Sequence, residues 1–82
     1  MEKSIYSRDY DAVLRQLREL RKAAGVTQVE LADRLGMTQS LVSKIERGDR
    51  RLDIIELRTI CSAIGVSLVE FVTKLETKLT RS

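Results

Sequence analysis

Four glycines, at positions 25, 36, 48 and 65, each follow a stretch in which apolar residues recur every three or four positions. That punctuation constrains the fold more than any other feature. It predicts a series of short amphipathic helices, each stopped by the residue type best able to turn the backbone sharply. Helices of two or three turns are marginal alone in water, so they must bury their apolar faces against one another. The chain has no Pro and only three aromatic residues, and Leu, Ile, Val, Ala, Glu, Lys and Arg dominate it. This composition favours helix over sheet.

The spacing predicts five helices. The first runs from about Asp9 to Ala24, with Tyr10, Val13, Leu14, Leu17, Leu20 and Ala24 in one stripe and Asp9 and Asp11 at its positive end. The second runs from Thr27 to Leu35, and Thr27 with Glu30 has the spacing of a capping box. The third covers 38–47, with Thr38 as N-cap, Val42 and Ile45 inward, and Gln39, Ser40, Ser43 and Lys44 outward. Asp53 caps a fourth helix that buries Leu57, Ile60, Cys61 and Ile64. Ser67 and Glu70 form a second capping box, opening a fifth helix with Leu68, Phe71, Val72, Leu75 and Leu79 on its apolar side. These elements make one domain over 9–79, with an N-terminal extension at 1–8 and a tail at 80–82. In the extension, Ile5 and Tyr6 offer additional packing or pairing surface.

Several classes of chemistry are unavailable to such a chain. It has no His and one Cys, which removes the usual zinc sites, a histidine base and any internal disulfide. No carboxylates form a spaced pair suited to a cleft, and there is no glycine-rich phosphate loop. The sequence therefore predicts a protein that is not an enzyme and carries no cofactor or metal. It has no long uncharged run and no apolar leader after Met1, which predicts a soluble cytoplasmic protein with no membrane partner. The net charge is +3, with a pI near 9.4. Residues 1–51 hold eleven basic and eight acidic side chains, and residues 52–82 hold four of each. A polyanionic partner is only weakly indicated by charge alone.

The segment joining helices two and three says more. Two short helices linked through Gly36-Met37 have the arrangement of a helix-turn-helix, whose second helix enters the DNA major groove. The run from Thr27-Gln28 through Leu31-Ala32, Leu35-Gly36, Gln39-Ser40 and Val42-Ser43-Lys44-Ile45-Glu46-Arg47-Gly48 resembles the phage-repressor/Cro type of this motif, the xenobiotic-response-element (XRE) family. The resemblance covers about residues 11–75. It implies an all-α, five-helix, lambda-repressor-like DNA-binding domain. Physical reasons for the pattern stand beside it. A small Ala32 lets two helices cross closely, and Gly36 permits a left-handed turn.

Gln39, Ser40, Ser43 and Lys44 are the candidate base readers. Gln can pair with adenine N6 and N7, Lys can donate to guanine O6 and N7, and Ser is less selective. Gln28 and Thr38, each at or beside a helix N-terminus, are candidate phosphate contacts. Arg47, Arg50 and Arg51 follow the third helix and are candidates for flanking phosphates. The resemblance further implies that Gln28 braces Gln39, and that Arg21 and Glu46 form a structural ion pair between helices one and three.

Together these readings predict a sequence-specific regulator of transcription, a repressor acting on a double-stranded DNA operator. One recognition helix reads only about 4–6 base pairs, so a homodimer on a palindromic site is expected. Its interface is assigned to helix five and the adjacent C-terminal surface, where Ile54, Ile55, Val69, Val72 and Leu79 are surplus to one core. The alternative is an antitoxin-type module that binds a toxin partner and represses its own operon.

Overall fold

The computed structural model describes residues 5–81, with side chains from Arg8 onward. Its elements are α1 (Ile5–Ala23), α2 (Gln28–Leu35), α3 (Gln39–Arg47), α4 (Ile54–Ala63) and α5 (Leu68–Arg81). All regular structure among the described residues is helical. The chain is an all-α five-helix domain, as the spacing predicts.

The caps explain where the middle helices begin. Thr27 accepts from the Glu30 N–H, and Glu30 accepts in return from the Thr27 N–H at 2.8 Å. Asp53 with Glu56 and Ser67 with Glu70 repeat this reciprocal pairing. Each pairing satisfies two backbone donors that a helix start leaves unpartnered. Two glycines are structurally demanded at the other ends. Gly36 has φ 68°, and its turn closes through Met37 N–H to Ala32 O and Gly36 N–H to Asp33 O. Gly48 has φ 85°, and a Cβ there would lie 3.1 Å from Leu14 Cδ1. A side chain at position 48 would be strained by this conformation and would press on Leu14.

The core forms where all five helices meet. Leu17, Leu31, Val42, Ile60, Cys61 and Phe71 are at most 3% exposed. Helix α1 packs on α3 and α5, α2 on α3 and α4, and α4 on α5. This leaves α3 anchored by Val42 and Ile45 on its inner side, with its polar side outward. Burial pushes the Cys61 thiol pKa up, as expected of an inert core residue.

Several expectations need correction. The first helix begins at Ile5, a full turn before Asp9, so Asp9 and Asp11 lie inside it and do not cap it. Of the extension expected at 1–8, residues 1–4 and the side chains of Ile5 and Tyr6 fall outside the described residues, while residues 5–8 belong to α1. The fifth helix continues through Thr80 to Arg81, where a tail was expected. Val72 is 43% exposed, because Phe71 beside it takes the inward direction. Ala24, expected in the apolar stripe of the first helix, is exposed beyond the end of α1.

Candidate nucleic-acid interface

Helices α2 and α3 each open with a glutamine, and the two meet. Gln39 Nε2 donates to Gln28 Oε1 at 2.7 Å. Gln28 Nε2 in turn donates to Glu46 Oε1 at 2.9 Å. Glu46 is 4% exposed and receives Arg21 on both oxygens, Nε to Oε2 at 2.6 Å and Nη2 to Oε1 at 3.0 Å. Arg21 Nη1 donates to the Val26 carbonyl at 2.8 Å. A continuous chain of hydrogen bonds thus runs from the buried α1–α3 ion pair to the first residue of α3.

The chemistry of this chain fixes its polarity. An ionised carboxylate only accepts, so Gln28 must turn its NH2 toward Glu46. Its oxygen then faces Gln39, which must answer with its own NH2. Gln39 is left presenting Oε1 and one remaining N–H at the surface. That acceptor–donor pair is what adenine's major-groove edge requires.

The rest of the outer face of α3 is polar and unequal. Ser40 and Lys44 are exposed, and among the described residues neither side chain is hydrogen-bonded or ion-paired. Ser43 is half-buried, and its hydroxyl accepts from Arg47 Nη1 at 2.6 Å. Thr38 accepts the Leu41 N–H at 3.1 Å as N-cap, which leaves its hydroxyl proton to donate elsewhere. Gln28, Thr38, Gln39, Ser40 and Lys44 therefore cluster around the start and outer side of α3.

The cations at the end of α3 and in the loop after it are more constrained than their sequence position suggests. Arg47 pairs with Asp49 at 3.0 Å, both largely exposed, a geometry worth little in stability. Arg50 is held by Glu56, Nη2 to Oε2 at 2.6 Å and Nη1 to Oε1 at 3.2 Å, which braces the loop against α4. Arg51 lies over the Tyr10 ring at 5.0 Å from its centroid. Spacing alone assigns no site role to Tyr10, Gln16 or Glu56. For Glu56 a signal does exist, because it stands three residues after Asp53.

The Arg50 hydrogen bonds, then the backbone bond from Asp53, hold the Glu56 carboxyl below the ordinary value of 4.5. At Glu30 the backbone bond from Thr27 acts the same way. A depressed carboxyl contributes stability that is present above its unfolded pKa and lost as pH falls through its folded one. Thermal melting should therefore weaken as pH drops from about 5 toward 3. Glu56→Gln should be less stable than wild type near neutrality, with the gap closing in acid. A gap that stays constant across that range would rule out the linkage.

Comparison with known proteins agrees with this geometry. The profile of the helix-turn-helix family matches residues 17–71. An uncharacterized HTH-type transcriptional regulator, y4dJ of Sinorhizobium fredii (strain NBRC 101917 / NGR234), is 44% identical over 54 residues, covering 66% of this chain and 70% of the relative. An uncharacterized HTH-type transcriptional regulator of Methanothermobacter thermautotrophicus (strain ATCC 29096 / DSM 1053 / JCM 10044 / NBRC 100330 / Delta H) is 37% identical over 54 residues, covering 66% and 78% respectively. Among solved structures, an XRE-family like protein from Pseudomonas syringae pv. tomato str. DC3000 superposes with a TM-score of 0.86 at 49% identity, covering 90% of each chain. The chain therefore belongs to the XRE-type helix-turn-helix family of DNA-binding transcriptional regulators.

Proposed function

We propose that this protein represses transcription by binding a palindromic double-stranded DNA operator as a homodimer, with α3 in the major groove. The observation that carries the reading is the ordered chain Arg21–Glu46–Gln28–Gln39, which spends a buried ion pair on holding one surface glutamine in a defined orientation. Gln39, Ser40, Ser43 and Lys44 read base edges, and Gln28 and Thr38 bind phosphate at the helix starts. Arg47 and Arg51 add salt-dependent contacts on the flanks. Arg50 contributes mainly by stiffening the loop, since Glu56 already takes its guanidinium.

Dimerisation has its support in exposed apolar side chains. Ile54, Ile55 and Val69 are 57%, 66% and 75% exposed, at the starts of α4 and α5. Two copies related by a two-fold axis would read half-sites about 34–36 Å apart, one helical turn of DNA. No described helix is long and apolar enough to cross a membrane. A cytoplasmic protein residing on the nucleoid fits this function.

The test is a mobility-shift titration on DNA upstream of the gene, repeated across salt, with sedimentation to follow the oligomer. We expect preferential binding to an inverted repeat by two protomers. Arg51→Ala should weaken binding to all sequences alike and flatten the salt slope by about one per protomer. Equal affinity for upstream and random DNA, or one protomer bound to the preferred site, would contradict the proposal.

A further inference from the structure

The DNA-facing loop is pinned by a residue outside the stretch that matches the family, residues 17–71. Tyr10 lies on α1, seven residues before that stretch. Its Oη accepts the Leu52 N–H at 3.0 Å. Its ring lies beneath the Arg51 guanidinium, 5.0 Å from centroid to Cζ. With Arg50 held by Glu56, three consecutive loop residues are fixed, from α1 on one side and α4 on the other.

We propose that Tyr10 is a positioning residue for phosphate binding, which sets the loop through Leu52 and aims Arg51 at the DNA backbone. This inference rests on the DNA-binding reading above. A guanidinium stacks through its face and donates to phosphate along its edge, so the ring can hold Arg51 without competing for its anionic ligand. Stacking also restricts a long, flexible side chain before DNA arrives, which lowers the ordering cost of binding.

The experiment compares wild type, Tyr10→Leu, Arg51→Ala and the double variant on a random-sequence DNA duplex, with affinity measured against salt. Tyr10→Leu should lose most of the slope that Arg51→Ala loses, about one per protomer, and the double variant should be no flatter than Arg51→Ala. Tyr10→Phe keeps the ring, so its slope should match wild type. Its Leu52 amide should nevertheless exchange with solvent about fivefold faster, the equivalent of one lost hydrogen bond. That variant conserves the packing and keeps the test open should Tyr10→Leu fail to fold.

A wild-type slope in Tyr10→Leu beside a flattened one in Arg51→Ala would overturn the role of Tyr10 while leaving DNA binding intact. So would slope losses that add in the double variant, or unchanged Leu52 exchange in Tyr10→Phe. Absence of DNA binding by the wild type would defeat the underlying reading and this one with it.

Discussion

Glu46→Ala should lower the unfolding free energy by about 3–5 kcal/mol. A domain of this length has only about 4–12 kcal/mol in total, so the variant is expected to be largely unfolded or to melt at least 12 °C lower. The cause is the stranded partner. The Arg21 side chain is 8% exposed and directs two nitrogens at the Glu46 carboxylate, and no water replaces that acceptor cheaply. Gln28 loses its acceptor in the same step. Replacing both charges together, Arg21→Met with Glu46→Leu, removes the desolvation cost of each and should recover most of the stability. Urea unfolding of the three proteins would measure this. A loss below about 1 kcal/mol in Glu46→Ala would place the pair with exposed ion pairs and contradict its structural role.

The second large effect falls on binding and spares the fold. Gln39→Ala with Lys44→Ala should weaken binding to the preferred site by roughly 2–6 kcal/mol, thirtyfold or more, if each contact is worth what a specific base contact usually is. Both side chains are exposed and α3 keeps its inward anchors, so the melting temperature should change little. Binding to random DNA should fall less, because Arg47 and Arg51 remain. The comparison of preferred and random duplexes by fluorescence anisotropy separates the two effects. Unchanged discrimination in the double variant would remove α3 as the reading helix.

Most of the architecture could be read from short-range signals. Gly36 and Gly48 stop helices where they must, and Thr27 with Glu30 and Ser67 with Glu70 start them. These are local devices, so local sequence shows them. The start of α1 lacks such a device among the described residues, and the acidic Asp9 and Asp11 imitate one a turn too late. The burial of Gln16 is not legible in the sequence, for a different reason. Its position, between Val13 and Leu20 on the apolar stripe, points inward, while its amide argues for the surface. The structure buries it at 1% exposure, with Nε2 donating to the Phe71 carbonyl across 55 residues and Oε1 left without a partner. A partner so distant leaves no trace in spacing. The pairing of Arg50 with Glu56 likewise depends on how the loop folds back on α4, and a run of charged residues reads the same whether its cations face solvent or a carboxylate.

The central claim is that the outer side of α3 meets DNA and that the hydrogen-bonded chain behind it holds that side in place. Amide and side-chain NMR shifts of the labelled protein, followed while DNA from upstream of the gene is added, test this most directly. The account predicts that the largest shifts fall on Gln28, on Thr38 through Lys44 and on the loop from Gly48 to Arg51, including the side-chain amides of both Gln28 and Gln39. Shifts confined to α4 and α5, with those amides unmoved, would contradict it.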